Sequence, residues 1–503
     1  MKRLLTTIAL LASIHCIYAQ TYEIGFDAEI RKNYSIFKKG SVIHVDSMKH
    51  EITFASDNTP QHAYTLYTSA GSVKVKEKLE DVFAVYCKNA QDYWNTMSIF
   101  NVLEDLTKNG TQEDIREEME ADVLEYINRV TNNGLTFEDP FLESYIYSLI
   151  SKLSPGVLID GRPGVVNLLI LSGTTANAFM FPNGTLVITT GLISLLHSED
   201  ELAAVLAHEI AHFVLDHSIQ NYNKMKRAQK RAEFWAAFAT VLTGVAEGVA
   251  AANNRYYIPG AATLAVAIAA EQLATEVCRK LGMSYSRMQE AEADVAAKQL
   301  MGVLGYDRNA LATALSRIEN AMKQERSIEM YFASDHPALI ERIAKAGTPS
   351  AKVDKNFEKI ISFAVTDAAA MKMQDRRFRQ ALPLVSQNVN NNVGTDDDYI
   401  MKARCLLYMK NDDASYNEVV NLINEAKRIR PSNINIYKTE IVAYLRQARY
   451  KEARALLDSY KNMLSSLYKN NEGFPEREFA ARYNYAQSEM VWVDDMIQKL
   501  KAF

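Results

Sequence analysis

His208-Glu209-Ile210-Ala211-His212 is the stretch that most restricts what this 503-residue chain can become. Positions four apart on an α-helix lie one turn above each other on one face, so both imidazoles can reach a single metal ion. Glu209 then points toward the water that such an ion holds. Zinc lowers that water's pKa to about 7, and a carboxylate beside it can take the proton as the oxygen attacks a peptide carbonyl. The surroundings predict a helix. Ser198 with Glu201 three residues later reads as a capping box, and Leu202, Val205, Leu206, Ile210, Phe213 and Val214 follow at helical spacing. Two histidines in so apolar an interior are costly unless they have partners.

A catalytic zinc needs a third protein ligand and an open fourth position. His217 is near in sequence, but the pattern with a glycine three residues after the second histidine and a third histidine three further on fails here, where Leu215 and Ser218 stand. His217 is expected beside the site or on the surface at the helix end, where a cation suits the dipole. Downstream, Ser286-Arg287-Met288-Gln289-Glu290-Ala291-Glu292-Ala293-Asp294 places Glu290 and Asp294 four apart on one face. One of the two can bind metal while the other orients an imidazole or the water. A solvated acidic helix is the alternative for the same residues.

In order along the chain, Asn177-Ala178-Phe179, Pro182-Asn183-Gly184, HEIAH, SRMQEAEAD and His336-Pro337 with Glu341-Arg342-Ile343 resemble the gluzincin zinc metalloproteases of the HtpX and CAAX prenyl-protease family, over about Leu142 to Ala346. The resemblance implies one zinc ion per chain, held by His208, His212 and Glu290, with Glu209 as general base and Asp294 as a second catalytic acid. It makes His336 an auxiliary residue that steadies the oxyanion or caps the zinc in a closed state. It also implies a small sheet beside the HExxH helix whose edge, at Asn177, Ala178 and Phe179, receives substrate as an added strand; an ordinary half-buried strand is the alternative for each of these side chains. The residues themselves predict strands at Val165 to Ser172, Ala178 to Phe181 and Thr185 to Thr189, the last two flanking Pro182-Asn183-Gly184 as a hairpin.

The N-terminus reads as a secretory signal peptide, Lys2 and Arg3 ahead of an apolar run from Leu4 to Ile17, with cleavage expected after Ala19. Removing Cys16 leaves Cys87, Cys278 and Cys405, too scattered for a disulfide framework or a thiolate zinc site, which fits export to a bacterial periplasm. A formal net charge of −5 with mixed signs gives no electrostatic case for nucleic acid. Residues 20–130 read as a small β/α module without an assigned role. It has strands near Val42 to Val45 and Ile52 to Phe54, a helix with Leu79, Val82, Phe83 and Tyr86 on one face, and a further helix from Thr111 to Asn132. Asp139-Pro140 opens a helix that runs to Ser154.

Between HEIAH and SRMQEAEAD lie two alanine-rich apolar stretches, Phe234 to Ala251 and Ile258 to Val277. Glu247 and Glu271 inside them favour a helical pair packed near the cleft over membrane spans, either buried or laid against a membrane surface, and suited to act as a lid. A prenyl-CAAX type intramembrane protease needs a set of long apolar spans that this sequence does not provide.

From about residue 360 the chain is helical and repetitive. Tyr399, Ala403, Leu407, Tyr416, Val420, Ile423, Ala426 and Pro431 resemble one tetratricopeptide unit, and Tyr437, Val442, Tyr444, Tyr450, Ala453 and Leu457 a second. Asn388 to Asp398 reads as a loop or hinge at the start of this region.

The expected fold is α+β and mostly α: a zincin-like protease domain at 135–350, a helical TPR-like domain at 360–503, the module at 20–130 and a signal peptide at 1–19. A protease with such repeats behind a signal peptide resembles the architecture of periplasmic β-barrel assembly-enhancing proteases. That implies a zinc endopeptidase acting on polypeptides, with repeats that bind substrate or the outer-membrane protein assembly machinery. The rival from another class is a chaperone-like binding protein with a latent, closed zinc site.

Overall fold

The computed structural model describes residues 18–22, 26–54, 60–76, 79–85, 87–95, 97, 111–132, 136–158, 163–165, 167–223, 283–324, 339–409, 412–467 and 476–502. The apolar pair at 234–251 and 258–277 lies outside these residues, as does His336. No helix among the described residues is long and apolar enough to cross a membrane.

The N-terminal strands are β1 (Tyr18–Tyr22), β2 (Phe26–Ile30), β3 (Val42–Val45), β4 (Ser47–Phe54), β5 (Pro60–Thr68), β6 (Gly71–Val75) and β7 (Phe83–Val85). They form two antiparallel sheets, ordered β1-β4-β5-β6 and β3-β2-β7. Ile30, Phe37, Val45, Met48, Leu66, Val75 and Phe83 close a small apolar core separate from the main one. The helix expected across residues 79–86 is instead one turn, α1 (Leu79–Val82), after which Phe83 pairs with Ile30 in β7. Filling this core outweighs the helical spacing. β1 pairs Ala19 with Glu51, so this strand runs across the point where cleavage is expected.

The long α2 (Thr111–Asn132) leads to α3 (Pro140–Leu153). Asp139 caps α3 by accepting from the amides of Phe141 and Leu142, and Pro140 supplies a preset first-turn dihedral. A three-stranded sheet follows, with β10 (Thr185–Thr189) at its centre. It runs parallel to β8 (Asn167–Leu171) and antiparallel to β9 (Ala178–Met180). Gly184, at φ +85°, makes the turn between β9 and β10, and Asn183 Oδ1 accepts from the Thr185 amide at 3.1 Å. All five residues of β10 are buried. A short α4 (Thr190–Ile193) comes next. Its Gly191 lies so close to the Thr175 carbonyl that any Cβ would stand 2.3 Å from it.

The remaining elements are helices: α5 (Glu199–Val214), α6 (His217–Asn223), α7 (Arg287–Val303), α8 (Ala310–Gln324), α9 (Leu339–Ala346) and α10 (Lys355–Ile360). A stack of hairpins completes the chain: α11 (Ser362–Gln374) with α12 (Phe378–Asn390), α13 (Asp396–Met409) with α14 (Asp413–Ile429), α15 (Ile434–Arg446) with α16 (Tyr450–Leu467), and a last helix α17 (Glu476–Lys499). Helices α11, α13 and α15 pack side by side in one row. The main apolar core runs on from α3 and the sheet through α5 and α7 into this stack as far as Ala443. Within α14, Val419 faces the core and Val420 is exposed, one position off the repeat spacing.

The loop or hinge expected at Asn388 to Asp398 is reduced to the short turn between α12 and α13, and Asn388, Asn391, Asp396, Asp397 and Asp398 are buried. Asn388 donates to the Ser362 carbonyl and to Asp398, which also accepts from Thr366 and Thr395. Asp396 and Asp397 accept from Arg430 and Asn433. Partners within the fold turn a loop-like composition into a fastening.

A second polar fastening joins the stack to the sheet. Asp367 of α11 is enclosed and accepts from the hydroxyls of Thr190 at 2.8 Å and Ser172 at 3.3 Å. Burial pushes its carboxyl up to about 6, against the pull of those two hydroxyls. Unfolded, an aspartate titrates near about 3.9, so folding takes up a proton between the two values and stability falls as pH rises from about 4 to about 6. Asp367→Asn removes that loss. In urea titrations the variant's stability relative to wild type should rise by on the order of 3 kcal/mol between pH 4 and pH 7; a difference that does not change with pH contradicts this.

Candidate metal centre and active site

The apolar surface of α5 runs all the way round, so the helix is enclosed, and every residue from Glu201 to Val214 is buried. Ser198 caps it through the Glu201 amide. The Glu201 carboxylate does not close the reciprocal half of the expected box: it accepts from the His197 amide and the Ser198 hydroxyl and forms a two-point ion pair with Arg317 of α8. Alanines do the rest. Ala203, Ala204, Ala207 and Ala211 on α5 and Ala293, Ala296 and Ala297 on α7 are buried, and such small side chains allow the two helices to approach closely. α7 itself begins at Ser286 with a complete capping box to Gln289, which fixes where its first turn, and so Glu290, lies.

That approach brings three donors to one point. The Nε2 atoms of His208 and His212 are 3.1 Å apart; one oxygen of Glu290 lies 3.5 Å from the first and the other 3.4 Å from the second. The three ligand atoms all fall within 4.8 Å of one another and all three residues are buried. Tetrahedral zinc with bonds of about 2.0–2.2 Å separates its donors by about 3.3–3.6 Å, so the spacing and the His-His-Glu donor set fit that ion. Charge points the same way. Glu209, Glu290 and Asp294 are buried carboxylates on facing helices, and Arg342 of α9 is the buried guanidinium among them. A divalent cation cancels the remaining negative charge. Burial and Arg342 oppose a proton on His208, yet Asp294 and Glu290 raise its pKa to about 9. Burial holds His212 well below 6.5.

A histidine that binds metal through Nε2 carries its proton on Nδ1, and each ring has a partner there. His208 Nδ1 lies 3.0 Å from Asp294 Oδ1, and His212 Nδ1 lies 2.8 Å from His217 Nδ1. With the His212 proton donated to His217, the far nitrogen of His217 donates to Glu292 Oε2 at 3.2 Å. His217 is therefore a buried residue behind a ligand and not a surface residue at the helix end. Asp216, at φ +57° between α5 and α6, makes the reversal that swings it inward. Tyr285 stacks on the other face of the His212 ring, with centroids 3.7 Å apart, and bonds Ser218.

Arg342 grips Asp294 with two nitrogens, at 2.9 and 2.7 Å, and reaches Glu290 Oε2 at 2.5 Å. Burial opposes its charge, but Glu290 and Asp294 more than offset this and hold the proton on. The acid four residues beyond Glu290 thus orients a histidine and anchors an arginine. Helical spacing in the sequence puts Glu290 and Asp294 on one face but gives Arg342, Tyr285 and Glu292 no role. The available signal is the helical spacing that puts Arg342 on one face with Leu339 and Ala346, the buried face of α9.

Of the expected edge residues, Asn177, Ala178 and Phe179 are all buried. β9 has a strand partner on one side only among the described residues, and α5 packs against it. Asn177 uses its backbone on Thr189, while its Oδ1 is buried without a hydrogen-bond partner. His336 lies outside the described residues, and its expected place at the metal stays an expectation.

Because His217 fixes the tautomer and angle of His212, His217→Ala should lower zinc affinity by about 10–100-fold in a chelator competition. Wild-type affinity in a variant of native helix content contradicts the relay.

Comparison with known proteins agrees with the geometry. Residues 142–350 match the family described as Peptidase family M48. The mitochondrial metalloendopeptidase OMA1 of Schizosaccharomyces pombe is 30% identical over 178 residues, 35% of this chain and 44% of that protein. The beta-barrel assembly-enhancing protease of Escherichia coli K12 is 26% identical over 242 residues, 48% of this chain and 45% of that protein. The metalloprotease LoiP of the same organism is 28% identical over 184 residues, 37% and 62% of the two chains. The chain thus spans less than two thirds of each of these relatives. With the HExxH helix, the distant glutamate and the acid behind it in the order the sequence resemblance implies, residues 142–350 are a metalloprotease domain of peptidase family M48.

Proposed function

We propose that the chain is a zinc-dependent endopeptidase exported to the periplasm, cutting misfolded or unassembled outer-membrane proteins. The observation that carries the chemistry is the buried His208–His212–Glu290 cage with Glu209 next to the first ligand on the same helix turn. When bound, zinc supplies a Lewis acid that acidifies a water molecule and polarises the scissile carbonyl. Glu209 takes the proton and returns it to the leaving amine. Asp294 keeps His208 in the tautomer that presents Nε2, and Arg342 holds Asp294 in place. An extended substrate adds to the edge of β9 beside α5 that has no strand partner among the described residues, gaining affinity from backbone pairing with little sequence selectivity.

The stack of hairpins is read as tetratricopeptide-like repeats that bind substrate or an outer-membrane assembly machine. Support comes from the row of α11, α13 and α15 and from the similarity to beta-barrel assembly-enhancing protease. The periplasmic location rests on the same similarity and on the apolar N-terminal stretch. Glu209→Gln should keep one zinc per chain while cleavage of casein or an unfolded outer-membrane barrel falls by about 10²–10⁴-fold. A wild-type protein that holds zinc and cuts neither protein under any condition defeats the peptidase assignment and favours a binding protein.

A further inference from the structure

Residues ahead of the family-matched segment 142–350 take hold of both helices that carry the metal ligands. The first hold is on α7. Tyr93 and Trp94 are buried in the main core, and the Tyr93 hydroxyl donates to the Ala296 carbonyl of α7 at 2.8 Å. Trp94 Nε1 donates to the Leu153 carbonyl at the end of α3, at 2.6 Å. The second hold is made by α2. Its Met119, Val123, Tyr126 and Val130 recur at helical spacing and are fully buried. Tyr126 meets Phe181 edge to face with centroids 5.3 Å apart, and Phe181 meets Phe179 of β9 in the same manner at 5.2 Å. Nearer its start, α2 packs on α6, and Arg116 pairs with Asp216 at 2.5 Å. Both side chains are largely enclosed, at 19% and 11% exposure, and Arg116 Nη1 is buried without a hydrogen-bond partner. Asp216 stands at φ +57° where α5 gives way to α6. A residue other than glycine keeps such a dihedral where its surroundings hold it there. The reversal brings the next residue, His217, to 2.8 Å from His212 Nδ1.

We propose that Arg116 is a positioning residue for the metal centre: by gripping the Asp216 carboxylate it locks the left-handed turn, and with it the place of His217 behind the ligand His212. An enclosed guanidinium and carboxylate cannot part cheaply, because each then keeps a buried charge without its counterion. The grip therefore fixes where the chain turns more firmly than an exposed pair does. His212 depends on that turn, since a ligating imidazole is held in angle by the group on its other nitrogen. The inference rests on the reading of His208, His212 and Glu290 as a zinc site and gives α2 a part in it, although α2 lies outside the segment that matches the family. A mere staple for α2 predicts a less stable protein with an unchanged site. A lock on the turn predicts a weaker site only while His217 is there to be positioned.

The test is a double-mutant cycle on the full chain, with zinc affinity read by chelator competition and helix content checked by circular dichroism. Arg116→Gln should lower zinc affinity by about tenfold, the low end of the effect of losing a partner of a ligating histidine. Asp216→Asn removes the charge that Arg116 grips while keeping a side chain that tolerates the left-handed region, and it should lower affinity in the same direction. In a His217→Ala background, Arg116→Gln should cause no further loss, because the turn then positions nothing. If Arg116→Gln does not fold, Asp216→Asn carries the same two comparisons. Wild-type zinc affinity in the folded single variant overturns the proposal. So does an equal loss in the wild-type and His217→Ala backgrounds, which makes α2 a general support of the fold. A wild type that binds no zinc removes the metal site itself, whereas a zinc-binding wild type indifferent to Arg116 removes this role alone.

Discussion

A carboxylate at zero exposure, Glu290, has to be held between two imidazoles inside an apolar interior, and most of the molecule is arranged around that demand. Burying such a charge alone costs several kcal/mol, so the group must find cations or lose its charge. Here it finds Arg342 on one oxygen and the meeting point of His208 and His212 between the pair. Removing the alanines that let α5 and α7 approach would separate these groups as surely as removing the ligands.

The same demand explains why so many of the neighbours are polar in an otherwise apolar core. Asp294 serves two masters, fixing His208 and neutralising Arg342. His217 and Glu292 extend the hydrogen bonding of His212 outward to an exposed carboxylate. Each link lets a ligand present one nitrogen only, which matters because a free-turning imidazole binds metal less well. The core then continues into the hairpin stack, so the active-site helix and the first hairpins share one packed interior and are joined by the Asp367 hydrogen bonds.

What could be read from the residues was whatever depends on local chemistry. The Ser198 cap, the HEIAH face, the Pro182-Asn183-Gly184 turn and the boundaries of α2 and α3 follow from short patterns, and the structure has them where the patterns put them. The three candidate metal ligands need more, since Glu290 reaches the histidines only through helix packing, and the family resemblance supplies that link. Long-range burial hid the rest. Phe83 leaves its helical pattern to fill the N-terminal core. Asn388 to Asp398 has a loop's composition but a core's hydrogen bonds. The inward turn of His217 rests on a single left-handed residue, Asp216, which no periodicity reveals.

The central claim is that His208, His212 and Glu290 together hold one zinc ion. X-ray absorption at the zinc edge on the purified protein, with metal content determined alongside, tests it most directly. The expected result is one zinc per chain in a shell of nitrogen and oxygen at about 2.0–2.2 Å, with the multiple-scattering signature of two imidazoles and no sulfur, and a shell that loses an oxygen ligand or its metal altogether in Glu290→Ala. A sulfur-containing shell, or a wild-type spectrum unchanged by Glu290→Ala, would contradict it.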